Sequence, residues 1–170
     1  MVLDLRVPHD ATPAALLASA PGFAIYALSF VVIGIFWINH HHLLHTAVRA
    51  DAQLLWSNLG LLFVLSVVPF VTAYVASAQG QPLPLSCYAL TMALASAAFV
   101  CLGFVVANQN ADAAEGRVRF KPFLKKGLTV AALYLFAIPL SFVWPISAYA
   151  IFVIIPILYV LPDRNFAGEA

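Results

Sequence analysis

The sequence predicts an all-α fold, a polytopic membrane helix bundle with five transmembrane helices in this chain. Two observations carry that prediction. The 170-residue chain is 64% hydrophobic and only 9% charged, whereas soluble domains average roughly 45–50% apolar and about 25% charged residues. The apolar residues also fall into runs of about 20, the length that an α-helix needs to cross a bilayer. Residues 1–170 are therefore predicted to form a single transmembrane domain with the bilayer as solvent.

The first three spans follow directly from the apolar runs. The second run is interrupted chiefly by the adjacent polar pair Ser57 and Asn58 and by the proline Pro69. The polar stretch after the third run reads as a loop, residues 107–126. The predicted spans are about 23–44, 54–78 and 85–106.

The remaining apolar stretch, residues 128–161, is too long for one span. A straight helix of that length would measure about 51 Å, whereas the hydrocarbon core of a bilayer is about 30 Å thick. Proline cannot continue a helical hydrogen-bond ladder and restricts the residue before it. The pair Trp144-Pro145 is therefore the predicted turn between two short spans, 128–144 and 145–161.

The basic residues predict the orientation, because lysine and arginine concentrate in cytoplasmic loops. Residues 79–84, between spans two and three, carry no charge, and only Arg6 lies on that side. The opposite side holds seven basic residues: Arg49, Arg117, Arg119, Lys121, Lys125, Lys126 and Arg164. Residues 107–126 are thus predicted to form a cytoplasmic loop of a multi-pass cell-membrane protein, with the C-terminus cytoplasmic and the N-terminus outside.

An N-terminus outside, with no signal peptide to carry it, suggests a further span before Met1. The segment Met1-Val2-Leu3 resembles the last turn of a preceding apolar helix. Thr12 can cap a short surface helix that begins at Pro13, since threonine favours the N-cap and proline the first helical position.

Polar groups inside a bilayer are costly and mark candidate functional sites. The richest cluster begins at Trp37, Asn39, His40 and His41, and span two carries Asn58 at a similar depth. A polar network linking Asn39 to Asn58 is predicted. The histidines allow three interpretations: a structural hydrogen-bond network, a metal site built on His41 and His45 at i, i+4 spacing, or a pH sensor.

Several function classes are disfavoured by the sequence. Nucleotide-binding, nucleophile and zinc-protease motifs are not found, and no Cys, Asp or Glu lies beside the histidines in the span. The chain is therefore expected to be no enzyme, to need no cofactor and to hold no metal. A net charge of +1 disfavours nucleic acid as a partner, because nucleic-acid binding needs a basic face.

Several segments resemble the transmembrane protein 175 family, specifically its short bacterial members. They are Leu28-Ser29-Phe30-Val31-Val32-Ile33-Gly34-Ile35-Phe36-Trp37-Ile38-Asn39-His40-His41, Arg49-Ala50-Asp51, Leu54-Leu55-Trp56-Ser57-Asn58 and Val68-Pro69-Phe70. The resemblance implies a potassium-permeable channel of six helices per subunit that assembles as a tetramer in the lipid bilayer. It also implies that the first helix lines the pore and carries an arginine-x-x-x-phenylalanine-serine-aspartate signature.

This chain departs from the family at that point, because it lacks the signature and a helix to hold it. The pore-lining residues are accordingly expected upstream of Met1. The resemblance implies that a support network holds the pore helix: Trp37, Asn39, His40, His41, Asp51 and Asn58. His42 stands where relatives usually carry an arginine.

The expected function is passive conduction of potassium ions by a homotetramer whose pore helix is missing from this sequence. Two alternatives stay open at this point. One is a non-conducting membrane scaffold or truncated product, and the other is a histidine-dependent membrane protein linked to metal or protons.

Overall fold

The structure is a computed structural model that describes residues 12–78, 80–109 and 113–160, and every regular element in those ranges is an α-helix. The elements are α1 (Pro13–Ala18), α2 (Ala20–His45), α3 (Ala52–Ser77), α4 (Pro82–Gln109), α5 (Ala113–Val143) and α6 (Pro145–Val160). The predicted all-α class is confirmed. The ends of the chain lie outside the described residues, so the assignment of residues 1–170 to one domain stays a prediction.

Helix α1 begins where its capping residues predict. The hydroxyl oxygen of Thr12 accepts a hydrogen bond from the backbone N–H of Ala15 at 3.2 Å, and Pro13 is the first helical residue. This cap satisfies one of the N–H groups that a helix start leaves without an intrahelical partner.

Within the described residues, four helices are long and apolar enough to cross a membrane: Ala20–His45, Ala52–Ser77, Pro82–Gln109 and Phe120–Val143. Helix α6 is apolar but shorter, with Pro145–Ile157 as its described apolar part. The structure is thus a helical membrane bundle. The count of five spans stays a prediction, because α6 falls short of the roughly 17 residues that a standard span needs.

The break between α5 and α6 lies at Trp144, between the last residue of α5 and the first of α6. The N–H of Trp144 still bonds to the carbonyl of Leu140 at 2.7 Å. The chain then restarts at Pro145, whose missing N–H costs nothing at a first helical position.

The polar segment 107–126 differs from the predicted loop. Helix α4 continues to Gln109 and α5 already begins at Ala113, so most of the segment is helical. The loop prediction rested on polarity alone. Alanine, glutamate, arginine and lysine are strong helix formers, and a polar helix can extend an apolar span beyond the bilayer surface.

Helix α4 is the centre of the bundle. It packs closely against α3 and α5 and also touches α2 and α6, and 61% of its span is buried, against 11% for α2. The main core contains side chains from α2 to α6, with Leu61, Val68 and Leu102 fully buried. Helix α2 packs mainly on α3 and lies at the edge of this core.

Hydrogen bonds stabilise the end of the bundle where α3 ends and α4 begins. Gly80, in the turn between α3 and α4, has a φ of +79° and donates its N–H to the Tyr149 hydroxyl of α6 at 3.2 Å. The hydroxyls of Ser86 in α4 and Ser141 in α5 lie 2.9 Å apart. One bond therefore joins the turn to α6, and the other joins the start of α4 to the end of α5.

Candidate functional site

The polar residues predicted as a network lie at the end of α2 and the start of α3. Residues 46–51 connect the two helices, and this short connection brings the last turns of α2 beside the first turns of α3. Trp37, Asn39, His40 and His41 belong to α2, and Asn58 to α3.

One side-chain hydrogen bond joins the two helices here. The Nε2 atom of His40 lies 2.6 Å from the Oδ1 atom of Asn58, and both side chains are partly buried. An amide oxygen is only an acceptor, so His40 donates its Nε2 proton.

The polar contact between the two helix ends is made by His40, and the structure shows a different partner for Asn39. Asn39 instead donates from Nδ2 to the carbonyl of Ile35 in its own helix, at 2.8 Å. Successive residues on an α-helix are rotated by about 100°, so His40 faces α3 while its neighbour does not. The sequence indicated which two helices meet but not which face of α2 meets α3.

A second group follows the outer face of α2 at four-residue intervals. Trp37 and His41 stack with ring centroids 5.4 Å apart and an interplanar angle of 14°. The Nε2 atoms of His41 and His45 lie 3.1 Å apart. All three side chains are exposed in the described structure, so this stripe is open to a partner or to solvent.

Asp51 begins α3 rather than joining the histidines. Its carboxylate accepts the N–H of Leu54 at 2.9 Å as the N-cap and pairs with Nε of Arg49 at 3.1 Å. The hydrogen bond from Leu54 lowers the pKa of Asp51, with burial opposing this effect and Arg49 and Gln109 supporting it. Asp51 is thus held ionised at the start of the helix.

Gln109 is a contributor that the sequence did not indicate. Its Oε1 accepts the N–H of Arg49 at 3.3 Å, which ties the connection between α2 and α3 to the end of α4. The only signal in the sequence was its position just past the third predicted span, a poor guide to a contact 60 residues away in the chain.

Asn39 also lines a cavity of about 40 Å³ between α2, α4, α5 and α6. Ser96 and Tyr134 contribute the other polar side chains of its wall, and the rest is apolar apart from Gly127. No group of three or more histidine, cysteine, aspartate or glutamate side chains within residues 12–78, 80–109 and 113–160 could hold a metal ion.

Residues 1–69 match the family described as the endosomal/lysosomal potassium channel TMEM175. A potassium channel from a Chryseobacterium species is 29% identical over 165 residues, which cover 97% of this chain and 85% of that protein. The chain is thus similar to the TMEM175 potassium channels, and the family description matches its first 69 residues. A second potassium channel, from Streptomyces collinus, is 36% identical over 110 residues, covering 60% of this chain and 53% of the relative.

A solved structure agrees with this TMEM175 relationship. The crystal structure of a lysosomal potassium-selective channel TMEM175 homologue from Chamaesiphon minutus superposes with a TM-score of 0.59 at 25% identity. The match covers 94% of this chain and 86% of that one. The described helical bundle therefore shares the fold of that channel homologue, and the proteins that match the chain are channels rather than enzymes.

The TMEM175 match covers every residue predicted for the site, but it does not reach Gln109. Trp37, His41, Asp51 and Asn58 all lie within residues 1–69, whereas α4 to α6 begin after the matched region. The polar ends of α2 and α3 thus belong to the part of the chain that the family model describes.

Proposed function

We propose that this chain is a subunit of a potassium-permeable channel that conducts passively through a homotetrameric pore in the cell membrane. The observation that carries the proposal is the similarity over 97% of the chain to a protein named as a potassium channel. The potassium-selective structural relative, which covers 94% of the chain, supports it independently.

The proposed pore-lining helix lies outside residues 12–160, and the end of α2 holds it in place. Trp37 is 61% exposed, and His41 is exposed beside it. An exposed stripe of polar aromatic rings favours contact with a further helix that carries polar groups. The His40–Asn58 bond and the Asp51 cap would set the angle at which α2 presents this stripe.

Potassium flux into proteoliposomes tests the proposal. The protein expressed from the complete coding region, including any part upstream of Met1, is reconstituted with a potassium gradient. A protonophore and a pH-sensitive dye then report potassium movement. We expect flux with potassium and none with a large impermeant cation. A correctly assembled protein without any flux would favour the non-conducting scaffold instead.

The support role of the network has its own test. Replacing both His40 and Asn58 by alanine should reduce the flux per assembled channel, because α2 loses its polar link to α3. The matched control is Ser66→Ala, since Ser66 is exposed on α3 and bonds only within its own helix, to the Phe63 carbonyl at 2.7 Å. Equal flux from the double variant and the control would contradict the support role.

Assembly and orientation complete the proposal. Light scattering of the detergent-solubilised protein should give the mass of a tetramer. A C-terminal fluorescent protein that folds only in the cytoplasm should fluoresce, because the basic residues of the predicted loops lie on that side. A monomer, or a dark fusion present at full length, would contradict those parts of the proposal.

A further inference from the structure

The histidine pair at the end of α2 has the geometry of two metal ligands. The Nε2 atoms of His41 and His45 are 3.1 Å apart, while their ring centroids are 4.4 Å apart. The nitrogens are closer than the rings, so the two Nε2 atoms are turned toward each other. Both side chains are exposed in the described structure of this 170-residue chain, so an ion can reach them there from solution.

The distance between the nitrogens fits a single bound ion. A zinc–imidazole bond measures about 2.0–2.1 Å. Two such bonds to nitrogens 3.1 Å apart enclose an angle of about 98°, between the roughly 90° of square-planar sites and the roughly 109° of tetrahedral ones. We propose that His41 and His45 bind one divalent transition-metal ion of the class Zn²⁺, Ni²⁺ or Cu²⁺, with water in the remaining positions.

Neighbouring side chains explain why this pair, among the four histidines at the end of α2, takes the ion. His40 is already bonded to Asn58 through its Nε2 atom. Trp37 stacks on His41 and holds that ring in the orientation that aims Nε2 at His45. The site corresponds to the second of the three interpretations of the histidines and departs from the expectation that the chain holds no metal. It takes an ion from solution rather than a resident cofactor.

The bound ion would stabilise the last turn of α2. His45 is the final residue of the helix, and the connection with Arg49 and Asp51 follows at once. A metal bridge between residues i and i+4 fixes two side chains across one turn and so opposes fraying of that end.

Copper and zinc titrations of the 170-residue protein test the proposal. The protein is purified in detergent through a tag without histidine, and Zn²⁺ binding is measured by calorimetry. We expect one saturable ion per chain. His41→Ala and His45→Ala should each weaken it at least about tenfold, because losing even an outer partner of a metal ligand typically costs 10- to 100-fold in affinity. Electron paramagnetic resonance of bound Cu²⁺ should show coupling to two nitrogens, reduced to one in each variant.

His42→Ala is the matched control. His42 is exposed and its ring centroid is 6.1 Å from that of His41, so the variant should bind Zn²⁺ as tightly as the original chain. Unchanged binding in both ligand variants, loss of binding in the control, or no saturable binding at all would overturn the proposal. The variants His41→Gln and His45→Gln, checked by circular dichroism, separate lost ligands from lost folding. The readout is metal binding, so it stands apart from channel activity.

Discussion

Replacing Gly127 by alanine is expected to weaken the packing of α5 against α4. Gly127 is buried against α4, and a methyl group there would overlap the Cγ2 atom of Val100. Valine is stiff about χ1, so its side chain cannot turn aside cheaply. Small residues let membrane helices approach closely, and this glycine lies in the most extensive helix-helix contact of the described bundle.

The expected loss of stability follows from comparison with Gly60. This helical glycine in α3 has no atom within 4 Å of an added methyl group. Alanine is about 1 kcal/mol better than glycine within a helix, and that gain is common to both substitutions. Overpacking costs typically about 1–3 kcal/mol. Gly127→Ala should therefore be about 1–3 kcal/mol less stable than Gly60→Ala, whatever the common gain.

Unfolding in mixed micelles by increasing the fraction of sodium dodecyl sulfate measures that difference. Circular dichroism follows the helix content, and the two variants are compared under identical conditions. If Gly127→Ala unfolds at the same detergent fraction as Gly60→Ala, the close approach of α5 to Val100 does not limit the size of residue 127, and the prediction is refuted. Gly103→Ala provides a second reading, since its added methyl group would lie 2.9 Å from Cζ of Phe123 and 3.1 Å from Phe120.

Two further predictions concern the candidate site. A double-mutant cycle on His40→Ala and Asn58→Ala should give a coupling of about 0.5–1.5 kcal/mol, the net worth of an intramolecular hydrogen bond; a coupling of zero in the unfolding assay would mean that the 2.6 Å contact contributes nothing. Asp51→Ala should speed hydrogen exchange at the Leu54 amide whereas Asp51→Asn should not, because asparagine caps a helix about as well as aspartate. The pKa of Asp51 is lowered from 3.8, so the stabilisation of α3 by the ionised carboxylate is complete above that pH and is lost as the pH falls through the lower folded value. Faster exchange at neutral pH in the asparagine variant would contradict helix capping as the main role of Asp51.

Hydropathy and proline chemistry allow much of the fold to be predicted from the sequence. The break at Trp144 follows from a proline in an apolar stretch too long for one span, and the start of α1 follows from the Thr12-Pro13 pair. The segment 107–126 could not be predicted in the same way. Polarity distinguishes membrane from water, but it does not distinguish a loop from a helix that extends into water.

The candidate site could be predicted only as far as its helices. A short connection between α2 and α3 indicates that the polar ends of the two helices meet. The pairing of Asn58 with His40 depends on the rotation of α2 about its axis. The contact between Gln109 and the backbone of Arg49 depends on how α4 packs, and no local pattern reports that.

The hydrogen bonds of the site indicate what kind of role it has. Polar groups near a bilayer core are costly unless they find partners, and here His40 bonds to Asn58 and Asn39 bonds to the Ile35 carbonyl. Groups that already bond to one another have less capacity to replace the water around a conducted ion. For the proposed channel, these bonds favour a role in orienting α2 over a role in binding potassium, and substitution at the site should change how many channels assemble and open more than which ions they pass.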